Sequence, residues 1–322
     1  MNTQMVHAPV AATLLVALPF VLAGSGSAMA QQDRQQSRVD EALIAYWPFE
    51  EGAGNVAHDA SGNGNDGVVH GASWVTGLCG TALSFDGLND YVAFTSPVLN
   101  TPPYTVCAWA DMPSPPTVNT YLLANGGESG SSTGLCLLAV GGVAWDWEFQ
   151  VRSSSGSVRG DCFAHAATGA TFGPVFLCGT WDGTSDADAI KLYVNAHLVC
   201  SDAPQTDECG MPQNLRIGCS SFNTYYFNGT LDEVRIYNSV LSANEICELY
   251  WSCGPHQPWP GDLNCDCTVD FGDINPFVLA LTDPSAYVAM YPDCDMMNAD
   301  INGDGAVDFG DINPFVELLI GR

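Results

Sequence analysis

Oxygen-bearing side chains recur at fixed spacing near the C-terminus. In Asp262-Leu263-Asn264-Cys265-Asp266-Cys267-Thr268-Val269-Asp270-Phe271-Gly272-Asp273 they occupy positions 1, 3, 5, 9 and 12. The same pattern returns as Asp300, Asn302, Asp304, Asp308 and Asp311. The two copies agree at 14 of 20 positions when run to Leu281 and Leu319, so chance is a poor source for the spacing. Carboxylates and amides without histidine are donors for a hard divalent cation. Calcium takes about six to eight oxygens, and a twelve-residue loop supplies them with a backbone carbonyl at position 7, here Thr268 or Ala306. The expected cofactor is calcium, one ion per loop. Carboxylates this close repel one another without a cation, so folding of the segment should be coupled to calcium.

Position 12 is Asp in both loops, where the usual EF-hand has a bidentate Glu. Loop 1 has Cys267 at position 6, where glycine normally makes the sharp turn, whereas loop 2 keeps Gly305. Loop 1 is therefore expected to bind more weakly or to need a disulfide to hold its shape. Cys265 with Cys294 is a reasonable pair, which would leave Cys267 as an odd thiol. Paired loops of this kind, each followed by a short helix, resemble a type I dockerin over about the last 60 residues. The resemblance implies a cohesin-like protein or other surface partner. Three features depart from it. Phe271-Gly272 and Phe309-Gly310 stand at positions 10 and 11, where dockerins usually carry Ser, Thr or other small residues, and no Lys or Arg follows nearby where they usually have basic residues. Pro276 and Pro314 lie inside the expected helices and should shorten or kink them.

These loops must be carried by something larger. From 42 to 252 the chain reads as short alternating strands separated by Gly, Asn, Asp and Ser turns. In Val143–Arg152 alternation places Trp145, Trp147, Phe149 and Val151 on one face, and leaves Asp146 and Glu148 facing solvent. Ile190–Val194 alternates in the same way. Many such strands predict a mainly β fold, an antiparallel two-sheet jelly-roll sandwich, followed by a small α-helical calcium-loop domain. Ser242-Ala243-Asn244-Glu245 is a capping box, with Ile246, Leu249 and Tyr250 at helical spacing behind it.

Ala45-Tyr46-Trp47-Pro48-Phe49-Glu50, Asp59–Gly67, Leu83-Ser84-Phe85-Asp86-Gly87, Thr180-Trp181-Asp182-Gly183 and Gly229–Asn238 follow in an ordered series. The series resembles laminin-G-like, concanavalin A-like jelly-roll domains over roughly 200 residues. Ala196 stands where the family's hairpin usually has Gly. The resemblance implies a binding or adhesive module, often for carbohydrate and sometimes holding calcium. Some enzymes share the fold, and jelly-roll glucanases need two carboxylates flanking the scissile bond. No Glu-x-Asp-x-x-Glu string occurs here, which disfavours a glycoside hydrolase or lyase.

Asp232 falls, by alternation, on the face of Val234 and Ile236. A buried carboxylate is costly unless paired, hydrogen-bonded or metal-bound. Either a further structural calcium shared with the Asp59–Asp66 loop or backbone N–H groups at a strand end would satisfy it. Tyr225, Tyr226 and Phe227 are either a sugar-stacking patch or packing, and Asn228-Gly229-Thr230 fits a glycosylation sequon.

The apolar stretch Ala11–Leu22 and Ala28-Met29-Ala30 read as a secretory signal over 1–30, with a polar leader over 31–41 and a linker over 253–261. The calcium-loop pair then occupies 262–322. No later stretch is long and apolar enough to span a membrane. Export makes 13 cysteines a source of several disulfides. With 8 Lys and Arg against 36 Asp and Glu, a formal charge of −28, nucleic-acid binding is excluded. The expectation is a secreted or cell-surface, non-catalytic protein that binds a glycan through its sandwich and a protein partner through its calcium loops. A structural surface protein with a calcium-stiffened tail is the alternative.

Overall fold

The computed structural model describes residues 38–95, 98–99, 102–125, 134–141, 146–152, 158–165, 173–184, 186–203, 214–253, 259–291 and 294–320. The expected signal, nearly all of the leader, and Trp145 lie outside them. The chain divides into Met1–Asp40 and Glu41–Arg322, and the second unit is described here.

Its strands are β1 (Leu43–Trp47), β2 (Val56–Ala57), β3 (Gly67–His70), β4 (Ser73–Thr76), β5 (Thr81–Asp86) and β6 (Tyr91–Ala93). Next come β7 (Tyr104–Asp111), β8 (Thr120–Ala124), β9 (Gly134–Val140), β10 (Asp146–Arg152) and β11 (Val158–His165). The last are β12 (Val175–Trp181), β13 (Ile190–Val194), β14 (His197–Asp202), β15 (Arg216–Ile217) and β16 (Asn228–Tyr237). Four helices follow: α1 (Ala243–Trp251), α2 (Ile274–Thr282), α3 (Pro284–Met290) and α4 (Ile312–Leu319). One sheet runs β14-β13-β12-β7-β16-β5-β4, with β1 also on β16, and the other β11-β10-β9-β8-β15-β6-β3-β2. Every pairing is antiparallel, as a two-sheet sandwich requires.

The core lies between the sheets. Val106, Ala108 and Ala110 of β7, Leu177 of β12 and Leu192 of β13 meet Leu137, Ala139, Trp147, Phe149 and Val151 of the opposite sheet. Trp147, Phe149 and Val151 thus share the buried face that their alternation predicts. Glu148 does not meet solvent as expected: it is 2% exposed, and Gln150 Nε2 donates to its Oε1. The reason is that the outer side of this sheet is itself packed. Glu148 and Gln150 pair with Leu138 and Cys136, which form a second buried cluster with Tyr121 and Ala124.

Strand β16 departs from simple alternation. Its register against β7 shifts between Asp232 and Arg235, and Glu233 takes a left-handed φ of 55°. This bulge lets both Leu231 and Val234 reach the core. Asp232, paired with Trp109, is turned to the outer face and not to that of Val234 and Ile236. The β13–β14 hairpin keeps left-handed backbone at Asn195 (φ 51°) and Ala196 (φ 64°), so alanine is tolerated where glycine is usual.

Helix α1 starts as its sequence predicts. The Ser242 hydroxyl accepts from Glu245 N at 3.4 Å, and Glu245 Oε2 accepts from Ser242 N at 2.6 Å. Its Tyr250 ring stacks 5.4 Å from Trp109 on the outer face of the first sheet. In the C-terminal part α2 and α4 meet through Phe277 and Phe315, 4.1 Å apart, over Leu263, Ala280, Tyr287 and Ala299. Pro276 and Pro314 are the third residues of α2 and α4, in the first turn, where the N–H has no intrahelical acceptor. They start these helices and do not kink them, contrary to the sequence expectation.

Gly179 of β12 faces Phe149 across the core, and a Cβ added there would lie 2.3 Å from its ring. Gly179→Ala should therefore lower stability by about 1–3 kcal/mol, the range for overpacking a core, read as a reduced urea midpoint with an unchanged slope.

Candidate functional site

The two acidic loops share one backbone-to-carboxylate hydrogen-bond pattern. In loop 1, Asp262 Oδ1 accepts from Asp266 N (3.2 Å) and Oδ2 from Cys267 N (2.9 Å). In loop 2, Asp300 accepts from Asp304 N (3.1 Å) and Gly305 N (2.8 Å). Asp273 Oδ1 accepts from Asn264 N (3.1 Å) and Oδ2 from Asp270 N (2.9 Å), which Asp311 repeats with Asn302 N (3.0 Å) and Asp308 N (2.9 Å). Asn264 and Asn302 each accept from the N–H two residues on, at Asp266 and Asp304. Asp266 and Asp304 in turn accept from Thr268 N and Ala306 N. The position-1 and position-12 carboxylates of each copy are thereby held at the two ends of one loop. Asp270 and Asp308 fold back onto Gly272 N and Gly310 N, both at 2.6 Å. A Cβ at Gly272 or Gly310 would sit 2.9 Å from that carboxylate, so glycine at position 11 has a steric reason.

Loop 1 fully buries both of its end acids, Asp262 and Asp273, whereas loop 2 fully buries Asp311 and leaves Asp300 half-buried. Burial first, then the charges of Asp273 and Asp266, push Asp262 up to about 7. Burial also raises Asp273, with the Asp266 charge adding to it. No Lys, Arg or His occurs between Trp259 and Ile320 to offset these charges. A donor set of Asp and Asn oxygens with buried, mutually repelling carboxylates fits a hard divalent cation.

Both loops need left-handed backbone at positions 4 and 6. Loop 2 uses Gly303 (φ 73°) and Gly305 (φ 88°), while loop 1 uses Cys265 (φ 57°) and Cys267 (φ 61°). Both cysteines are disulfide-bonded: Cys265 to Cys294, as expected, and Cys267 to Cys247 of α1. Cys267 is therefore not an odd thiol. Sequence reading missed this partner because Cys247 lies on a helix of the sandwich region, which only the fold brings to loop 1. Trp259 adds to the junction, its ring 6.3 Å from Tyr250 and 3.2 Å from His197.

On the sandwich, Asp232 Oδ2 accepts from Leu78 N and Cys79 N, both at 3.1 Å, while Oδ1 is buried without a partner. Backbone N–H groups of the β4–β5 turn therefore hold one oxygen of this carboxylate, which is one of the two ways of satisfying it. The Asp59 carboxylate has its own partners, Tyr46 N, Ser61 N and Asn65 N, and shares none with Asp232. Burial alone would raise Asp59, but these hydrogen bonds outweigh it and hold the carboxyl below its ordinary range. Next to Asp232, the Glu233 carboxylate accepts the Tyr46 hydroxyl, is ion-paired to Arg235, and lies beside the Cys79–Cys253 disulfide. Of the aromatic triplet, Phe227 is core, Tyr226 is half-buried and Tyr225 is exposed.

Residues 85–247 match the family of the concanavalin A-like lectin/glucanases superfamily termed Laminin_G_3. The chain belongs to this family. No curated protein matches it. Among solved structures, the binding domain of Paraclostridial Mosquitocidal Protein 1 is similar at 16% identity over 66% of this chain and 53% of that one, with a TM-score of 0.51. The botulinum neurotoxin serotype D ligand binding domain in complex with N-acetylneuraminic acid is similar at 15% identity over 68% and 52%, TM-score 0.52. Domain 4 of AbnA, a GH43 extracellular arabinanase from Geobacillus stearothermophilus, in complex with arabinotriose, matches at 18% identity over 65% and 98%, TM-score 0.47. The chain spans about half the length of the two toxin domains. At these identities the likeness is one of fold.

Burial, with the Glu233 charge adding to it, pushes Asp232 up to about 7 against the backbone hydrogen bonds that lower it. A raised carboxyl binds its proton more tightly in the folded state, so its stabilisation is complete below the unfolded value and lost as pH rises through about 7. The melting temperature of the wild type should fall from pH 5 to pH 8 relative to Asp232→Asn, which keeps the acceptor for Leu78 and Cys79 without the titration. Parallel melting curves for the two proteins across that range would refute it.

Proposed function

We propose that the protein is exported and non-catalytic, with a jelly roll that binds carbohydrate and a calcium-loaded, dockerin-like tail that docks onto a protein partner of cohesin type. The observation that carries this reading is the duplication: two loops of oxygen donors with the same hydrogen-bond pattern, each leading into a helix. Asp262, Asn264, Asp266, Asp270 and Asp273 would hold one calcium with the Thr268 carbonyl. Asp300, Asn302, Asp304, Asp308 and Asp311 would hold the other with that of Ala306. The ion would supply the positive charge that these carboxylates lack. The helices carry matching apolar side chains on the surface: Phe271 (74% exposed), Ile274 and Val278 in one copy, and Phe309 (76%), Ile312 and Val316 in the other. Exposed apolar patches of this kind mark interaction surfaces.

Carbohydrate binding is supported by membership of the lectin/glucanase superfamily. A protein of the same fold, the botulinum neurotoxin serotype D ligand binding domain, is seen with N-acetylneuraminic acid, which supports a sugar ligand without naming it. The non-catalytic reading is supported by Glu148, whose burial and bond to Gln150 suit a packing role. Export is supported by four disulfides among the described residues, and no described helix is long and apolar enough to cross a membrane.

Calorimetric titration of the full chain with calcium should give two sites, and Asp273→Ala or Asp311→Ala should each remove one. Reduction should weaken the loop 1 site, whose cysteines are disulfide-bonded, and leave that of Gly303 and Gly305 unchanged. Capture of a cohesin panel should require calcium and be lost in a Phe271→Ala/Phe309→Ala double variant. Equal capture in calcium and in chelator would sink the docking reading, and hydrolysis of a polysaccharide panel by the wild type but not by Glu148→Gln would sink the non-catalytic one.

A further inference from the structure

A cavity of about 310 Å³ opens at one end of the sandwich, lined among others by Asp86, Met112, Pro116, Thr120, Tyr226 and Asn228. Three segments meet there. Asp86 ends β5 and stands opposite Asn228, the first residue of β16, in the strand pairing. The turn that follows is tightened by Asp86 Oδ1, which accepts from Leu88 N at 2.8 Å, and by Asp90 Oδ2, which accepts from Asp86 N at 2.9 Å. Gly87 (φ 77°) lets this turn approach: a Cβ there would be 2.8 Å from the Asn228 Cβ. The third segment, running from the end of β7 to the first residue of β8, supplies Met112, Pro116 and Thr120. The Thr120 hydroxyl is buried and has no hydrogen-bond partner, while Asp86 and Asn228 are exposed.

We infer that this cavity is a sugar-binding subsite for a neutral glycan; the inference rests on the carbohydrate reading above and adds the place and the class of sugar. The wall combines a carboxylate that accepts, a carboxamide that both donates and accepts, and a hydroxyl, next to the half-buried Tyr226 ring, Met112 and Pro116. Sugar rings present that mixture, with hydroxyls around the rim and C–H faces that pack on aromatic and apolar surface. The volume lies at the lower end of the range for small-molecule pockets, roughly 300–1,000 Å³, and suits a short stretch of glycan. Among the described residues no Lys or Arg lines the cavity, Asp86 stands at its wall, and the chain carries −28 overall, so sialylated and uronic glycans are repelled. Asn228 belongs to a glycosylation sequon and must be unmodified for the site to work.

The experiment uses the mature full chain, made in a host without N-glycosylation. It is screened on an array of neutral and acidic glycans, with calorimetry on the best neutral hit. Asn228→Ala and Tyr226→Ala should each weaken that hit by about tenfold or more. Ser114→Trp, a change at an exposed wall position that fills the cavity, should abolish binding without altering the melting curve. Val288→Ala, at an exposed position of α3 that belongs to neither proposed binding surface, should bind as wild type. If the wild type binds a neutral glycan and the three cavity variants bind it equally well, the subsite is overturned and the carbohydrate reading stands. If only acidic glycans bind, the inferred class of sugar is wrong. If no glycan binds, the carbohydrate reading itself fails and takes the subsite with it.

Discussion

The one-residue bulge at Glu233 is the constraint from which much of the sandwich follows. Strand β16 runs through the middle of its sheet, with β7 along one edge and β5 and then β1 along the other. A strictly alternating strand there would put Asp232 into the core beside Val234. The bulge keeps Leu231 and Val234 inside and turns Asp232 out to the backbone N–H groups of Leu78 and Cys79. It also places Glu233 under the Tyr46 hydroxyl and beside Arg235, whose guanidinium lies 4.2 Å from the centre of the Tyr46 ring. A left-handed glutamate is unfavourable in isolation, by roughly 1–3 kcal/mol. Here it is over-determined by the carboxylate's partners, and those partners tie β1 to β16.

A second electrostatic problem sits in the C-terminal loops. Their carboxylates lie close together in a stretch without Lys, Arg or His from Trp259 to Ile320, and the position-1 and position-12 acids are steadied by backbone N–H groups within the same loop. Such bonds orient the acids without cancelling their charge. Loop 1 carries the heavier strain, because its two left-handed positions are cysteines. Disulfides to Cys294 and Cys247 hold that conformation where loop 2 relies on glycine. A disulfide contributes about 2–4 kcal/mol in general, comparable to the cost of one unfavourable φ angle at about 1–3 kcal/mol, and each strained cysteine has its own.

The same Cys247–Cys267 bond changes how the C-terminal part relates to the rest. Helix α1 packs Tyr250 onto Trp109 and Phe176 of the sandwich, and it is also the anchor of loop 1. Trp259 packs against Tyr250 and His197, and Cys253 is bridged to Cys79, so the described residues on either side of 254–258 are both fastened to the sandwich. The sequence there is Gly- and Pro-rich and reads as a linker. Its composition carries no information about cross-links made by residues far away in the chain.

Short-range chemistry was legible in the amino-acid order alone. The two loop patterns, the capping box at Ser242 and Glu245, and the buried stripe of Trp147, Phe149 and Val151 all depend on neighbours within a dozen residues. Spacing is enough to identify them, and the ordered sandwich motifs carry the family likeness. What tertiary structure decided involves partners far apart or a break in periodicity. Alternation cannot announce a bulge, so by itself it puts Asp232 on the core face, where the structure does not. It says which side of a strand a residue takes but not whether that side is covered, so it cannot foresee that Glu148 is buried. The partner of Cys267 and the meeting of Asp86, Tyr226 and Asn228 around one cavity required the chain to close on itself. A sequence records which groups are available, and only the fold records which of them come within reach.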